Sequence, residues 1–383
     1  MTTSSTSTIN AAPLIRWFIS SATMTVPQAA GPVAFALVAL ALTGDTSAGA
    51  AMILSMTLAQ VIGAIPITRF GRGFAPTTFL RLLVLFRTIA LGTLALLAHY
   101  GAPVIWLVAA SALAGLVNGA AAGYLRTILN ALAPASKLPR ALGIASTLNE
   151  TTFVLAPVAA SGLGTVSPVL AIVAIAVLGA IPAFLLPTVR SEASPDDIHA
   201  PDASIISPSI LLWLMCAAAG GATVAALEIG AVALALHFGY APSLAILFTV
   251  PLCVASVAGG IWVSIRNRMA SRRAVLIQLA IMMSGAILAA LQVSMIVTVV
   301  GAVLIGAVLA PLGTYYSLVL DTLAPPKRRA EVFALLRTAN AVGVIVVSAV
   351  MTAVSLSTSL ITVSCMMATV VIVVGIASHR ART

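Results

Sequence analysis

The sequence predicts an all-α integral membrane protein of twelve transmembrane helices arranged as two pseudo-symmetric six-helix bundles. Three observations carry that expectation. The chain of 383 residues is 61% hydrophobic and 7% charged, with a mean hydropathy of +1.15, whereas water-soluble domains are roughly 25% charged. Its apolar runs are much longer than the roughly 10 residues of a barrel strand, and in lipid only helices and closed barrels pair every backbone group internally. Finally, the second half repeats the first.

Gly, Pro and charged residues divide the chain into apolar runs at 14–42, 48–68, 78–98, 103–132, 141–164, 168–187, 208–238, 242–265, 273–292, 295–323, 332–354 and 358–378. The opening MTTSSTSTINAAP lacks the basic region of a cleaved signal, so 1–13 reads as a cytoplasmic tail and the first run as a retained span. Runs nine and ten are parted only by Gln292-Val-Ser294. Charge requires the split. Arg69, Arg72 and Arg81 follow run two, Lys137 and Arg140 run four, Arg266, Arg268, Arg272 and Arg273 run eight, Lys327, Arg328 and Arg329 run ten, and Arg380 and Arg382 the last. The alternate loops, TGDTSAG with Asp45, HYGAP and HFGYAPS, hold no Lys or Arg. Because Lys and Arg stay on the cytoplasmic side of short loops, both termini are expected in the cytoplasm and the chain in the inner cell membrane. The net charge of +10 then follows from topology and calls for no nucleic-acid partner.

The polar segment 190–207 reads as a cytoplasmic linker between bundles 14–189 and 208–379, with 380–383 as a short tail. It holds four of the nine acids and a lone histidine, His199, to which no metal role attaches. Cys216, Cys253 and Cys365 sit in apolar runs and read as small core residues, with no disulfide framework or metal site among them. Walker, HExxH and strand-borne G-x-S-x-G motifs are absent, so neither ATP coupling nor an enzyme activity has support, and no cofactor is implied.

Across the linker, LAGLVNGAAAGYLRTILNALAP (113–134) aligns without gaps on LIGAVLAPLGTYYSLVLDTLAP (304–325), and Asn149 falls opposite Asn340. Duplicated six-helix units are a transporter signature, with the site near the midplane between the halves.

Two acids lie deep in spans. A charge at the bilayer centre costs at least about 2.5 kcal/mol, so such groups face a cavity or a partner. At about 1.5 Å per residue, Glu150 sits roughly 14 Å from the basic end of its run, near the middle of a core about 30 Å thick. Ser146, Asn149, Glu150, Phe153 and Pro157 share one helix face. On span four, Asn118, Ala122 and Arg126 share a stripe, and the depth of Arg126 differs from that of Glu150 by about 5 Å. An Arg126–Glu150 pair is therefore expected, either as a proton site or as glue between spans four and five. Glu228, nearer the outer side on span seven, has no cation at its depth and reads as a protonated acid, either a proton carrier or a structural group. Arg87 is expected to snorkel beside Arg81. Arg337 is expected to pair with Asp321 or face an anionic substrate. Trp17 and Trp213 read as interfacial anchors, and Tyr124, Tyr315 and Tyr316 as cavity-lining or girdle residues.

The duplicated plan resembles the major facilitator superfamily over essentially the whole chain. GAIPITRFGRG resembles the conserved loop after span two, keeping Arg69, Gly71 and Arg72, with Thr68 where an Asp is usual. Span five resembles the antiporter signature at Gly143 and Pro157, with Thr152, Ala156, Ala160 and Ser161 replacing glycines. STLNETTFVLAPVAA and LAPPKRRAEVFALLRTA are similar to actinobacterial exporter-type permeases. This implies a secondary transporter, monomeric in the lipid bilayer, that exchanges protons for a small, partly apolar compound. Substrate would enter a cavity between spans 1, 4, 5, 7, 10 and 11, lined by Asn118, Ser146, Asn149, Phe153, Tyr315, Arg337 and Asn340, with coupling through Glu150, Glu228 and Arg126. An importer or facilitator, and a scaffold docking a partner through its basic loops, are the alternatives.

Overall fold

In the computed structural model, which describes residues 11–44, 47–189 and 207–380, every span is helical. The helices are α1 (Ala11–Thr43), α2 (Ser47–Phe70), α3 (Pro76–His99), α4 (Val104–Leu132), α5 (Leu138–Val166), α6 (Pro168–Leu185), α7 (Pro208–His237), α8 (Ile246–Arg266), α9 (Arg272–Leu291), α10 (Met295–Leu323), α11 (Arg329–Ala353) and α12 (Leu356–Arg380). Asp45, His199 and the linker as far as residue 206 lie outside the described residues.

Among the described residues, eleven helices are long and apolar enough to cross a membrane. The exception is α5, where Asn149, Glu150 and several threonines interrupt the apolar pattern. The split of 274–324 is real: Gln292 adopts a left-handed φ of 49°, ending α9, and Ser294 Oγ caps α10 by accepting from Val297 N–H at 3.3 Å. Helix α4 is interrupted at Val117. Its neighbour Gly115 lies against the Met56 carbonyl of α2, and Gly306 lies likewise against Leu252 in the other half, so the repeat recurs as the same backbone approach.

Each half has its own apolar core. One cluster joins Phe35, Met52, Leu94 and Ile172, and its counterpart joins Leu234, Phe248, Leu279 and Ile305. Large apolar side chains such as Ile62, Ile89, Val177 and Ile277 point outward, as lipid requires. Helix alternation gathers the lysines and arginines of the loops on one face, here the basic face, while the connections on the distal face, at 100–103, 238–245 and 292–294, hold none. Of the three cysteines, Cys216 is buried and Cys253 is half-buried against the core of the second half, while Cys365 is exposed and is not a core residue.

The bundles meet through α2 and α4 against α11, and through α5 against α8 and α10. Within the first half, α4 packs on α2 and α3, while α5 packs on α1 and α6. Helices α4 and α5 are not packed neighbours, and this decides the fate of the pair expected between them.

Candidate functional site

A cavity of about 1090 Å³ lies between the bundles. Its lining runs from Gln28, Asn149 and Arg337 at mid-depth to Ala50 and Ala353 at the distal helix ends. It therefore opens towards the distal face. Asn149, Glu150 and Phe153 enter from α5, Glu228 from α7, Met282 from α9, Ser317 and Tyr316 from α10, and Arg337, Asn340 and Ala341 from α11. Asn149 and Asn340, equivalent in the repeat, thus face one space. Glu150 lies near Glu228 and the Ser256 hydroxyl. The two acids come from different bundles and line one wall system that is mostly apolar.

A second pocket of about 180 Å³ lies deeper, lined by Trp17, Met24, Gln28, Arg87, Asn118, Arg126 and Arg337. Gln28 and Arg337 line both spaces, and Arg337 Nη2 donates to Gln28 Oε1 across the bundle interface. Asn118 belongs to this lower pocket. Ser146 and Tyr315 line neither: Ser146 lies one turn nearer the basic face, and Tyr315 packs edge-on to Trp213 at 5.1 Å, leaving Tyr316 in the cavity wall. Helices α2 and α9 join the wall of the main cavity, while α4 contributes only to the lower pocket.

The structure corrects four further expectations. Arg126 and Glu150 form no ion pair: the Arg126 guanidinium stands over the Phe333 ring, 5.1 Å from its centroid, and its three nitrogens find no hydrogen-bond partner among the described residues. Depth matched, but the helices that carry them are not adjacent. Arg87 does not snorkel. It is 4% exposed and donates to Met24 O and Gly179 O, both at 3.0 Å, and to Asn118 Oδ1 at 3.4 Å. Trp17 is buried, its indole N–H donating to Leu125 O at 2.9 Å, so it pins α1 to α4 instead of marking an interface. Of the two roles expected of Arg337, the pairing with Asp321 is not made; Arg337 bonds Gln28 and faces both spaces.

The basic face is shut by polar contacts between the halves. Arg69 Nε approaches Glu331 Oε2 at 3.3 Å, and Arg72 pairs with the same carboxylate. Glu331, at the start of α11, is 1% exposed and supplies the acid that Thr68 does not; Thr68 bonds back to the Ala64 carbonyl. Gly71 is buried against Phe79 and Tyr124, where a Cβ would not fit. At the equivalent corner, Asn267 in a left-handed α8 cap accepts from Arg140 N–H and donates to Ser136 O, each at 3.0 Å. Asn130 donates to Asp321. Close approach completes the closure, Gly123 meeting Ala330 O, and Gly143 meeting Ser264 and Gly260. Gln28, Gln60, Arg87 and Glu331 were not singled out from sequence as site residues. Their signal was the one that exposed Glu150, a polar group inside or at the edge of an apolar run.

The fold is that of known transporters. A bacterial homologue of the iron transporter ferroportin, in an outward-facing state, superposes with a TM-score of 0.76 at 13% identity over 95% of this chain and 98% of that one. The Escherichia coli fucose:proton symporter gives 0.71 at 14% over 95% and 98%. The human organic anion transporter TETRAN gives 0.70 at 14% over 96% and 98%. No curated protein matches the sequence at a significant level. The Major Facilitator Superfamily profile matches residues 16–348, and with twelve membrane-length helices among the described residues, two repeated halves and a cavity between them, this chain belongs to the Major Facilitator Superfamily of transporters.

Proposed function

We propose that this protein exports a small, partly apolar compound in exchange for protons, by alternating access of its two bundles in the inner cell membrane. The observation that carries the reading is the pair Glu150 and Glu228, one carboxylate from each half, facing a single cavity. A buried carboxylate is cheaper to keep protonated than charged, and a group that loads a proton on one side must unload it on the other before the cycle repeats. That one neighbour of this fold is a proton symporter supports coupling to protons. The apolar wall supports a compound that partitions into lipid over a polyhydroxylated nutrient. Asn149, Phe153, Asn340 and Arg337 are proposed to touch it, and the basic face is proposed to be cytoplasmic, as the positive charge of its loops requires.

The test uses purified protein in liposomes with an imposed inward proton gradient and a panel of small amphipathic fluorophores. Gradient-driven movement outward is expected, abolished by Glu228→Gln while passive exchange persists. If gradient-driven transport survives both Glu228→Gln and Glu150→Gln, the acids are structural and a facilitator is the better reading. Movement in the same direction as protons would make the protein an importer.

A further inference from the structure

The lower pocket holds an imbalance of charge of which the export reading uses only Arg337. Arg87, Arg126 and Arg337 all line it, and none of them forms an ion pair among the described residues. Arg87 is spent on two carbonyls and Asn118, and Arg337 on Gln28. Arg126 is 7% exposed; beyond the Phe333 ring, its buried Nε, Nη1 and Nη2 have no hydrogen-bond partner among the described residues. Asp321, the acid whose charge reaches Arg126, is already held by Asn130 and lies 3.9 Å from Arg329. A buried guanidinium carries five donors that need acceptors, and leaving a buried charge uncompensated is strongly unfavourable.

We propose that this pocket is an anion subsite, and that the compound carried is an amphipathic organic anion whose carboxylate or sulfonate sits between Arg126 and Arg337. The planar forks of arginine match such oxyanions better than a point charge would. The pocket of about 180 Å³ has room for roughly six waters at about 30 Å³ each, which suits a head group and not a whole amphiphile. The apolar body then occupies the main cavity above, which the pocket adjoins at Gln28 and Arg337. Transport of this anion rests on the export reading; its binding in the subsite does not.

The experiment is thermal unfolding of the purified protein with 2-naphthoate, with its cationic counterpart 2-naphthylmethylammonium, and with chloride, at matched ionic strength and without any gradient. Naphthoate is expected to raise the midpoint saturably, as a ligand of the folded state does, while the cation and chloride do not. Arg126→Gln and Arg337→Gln are each expected to weaken naphthoate at least tenfold, Arg126→Lys to weaken it less, and Arg268→Gln, on the exposed basic loop, to change nothing. The unfolding curve of each variant without ligand reports that it folds. Equal shifts from naphthoate and the cation, or a naphthoate shift that survives both glutamine variants, would overturn the proposal. A saturable response to chloride equal to that of naphthoate would reassign the pocket to inorganic anions and overturn the substrate class. If naphthoate binds as expected but no gradient drives transport, the subsite stands and the coupling reading fails.

Discussion

Asn130 and Asp321 occupy the same position of the two repeats, 191 residues apart, and hydrogen-bond to each other where the bundles meet at the basic face. Only residues close to the pseudo-two-fold axis can meet their own equivalents, so this contact marks where the axis leaves the protein. Along with the Arg69, Arg72 and Glu331 cluster, it holds that face closed in the distal-open state.

Removing either latch should therefore shift the balance between states. A hydrogen bond to a charged group is worth about 1.5–3 kcal/mol, so Glu331→Gln and Asp321→Ala should each raise the basic-open population by about ten- to a hundredfold. Spin labels on cysteines placed at Phe74 and Met269, exposed residues of the two halves at this face, should report a longer distance. Unchanged distance distributions in both variants would show that the contacts do not latch anything.

Gly123 gives a steric version of the same experiment. A Cβ there would lie 2.2 Å from the Ala330 carbonyl of the other bundle, so Gly123→Val should prop the basic face open while each bundle keeps its own core. Cysteines lining the cavity near the distal ends, at Ala50 or Ala353, should lose reactivity towards impermeant reagents applied to the distal side. Retained reactivity with normal transport would mean that the helices part without cost.

Arg87 ties α3 to α1, α4 and α6 through Met24 O, Asn118 and Gly179 O. Its loss removes a buried charged donor from all three, and a hydrogen bond to a charged group is worth roughly 1.5–3 kcal/mol. Arg87→Met should lower the unfolding midpoint clearly, whereas substitution of a snorkelling arginine would be nearly silent, and a chemical denaturation series would separate the two.

Because Arg126 and Glu150 do not meet, their substitutions should act independently. The stability changes of Arg126→Gln and Glu150→Gln should sum in the double variant to within about 0.5 kcal/mol. A larger coupling energy would restore the ion pair that equal depth alone suggested.

How much could be read in advance divides along one physical line. The break at Gln292-Val-Ser294 was legible because alternating charge required an odd connection there, and Gln292 turned left-handed to make it. Glu150 and Glu228 were legible as cavity residues because lipid tolerates no other placement for them. Ser146 was misplaced because helical periodicity names a face without saying how far along it a cavity extends. Arg87 departs from the snorkelling expectation because position along a helix does not measure proximity to an interface, and Asn118 and two carbonyls accept from it in the interior.

By itself, the sequence determined the solvent, the spans, the segregation of positive charge to one face and the depth of each polar group. Hydropathy selects the medium, and a fixed rise per residue converts position into depth. Only the tertiary structure decided partners: Glu331 for Arg69 and Arg72, Phe333 for Arg126, Gln28 for Arg337, Asn130 for Asp321. Rotation about a helix axis and the choice of neighbour are set by how two separately packed bundles meet, and no local pattern encodes contacts between residues 191 to 309 positions apart.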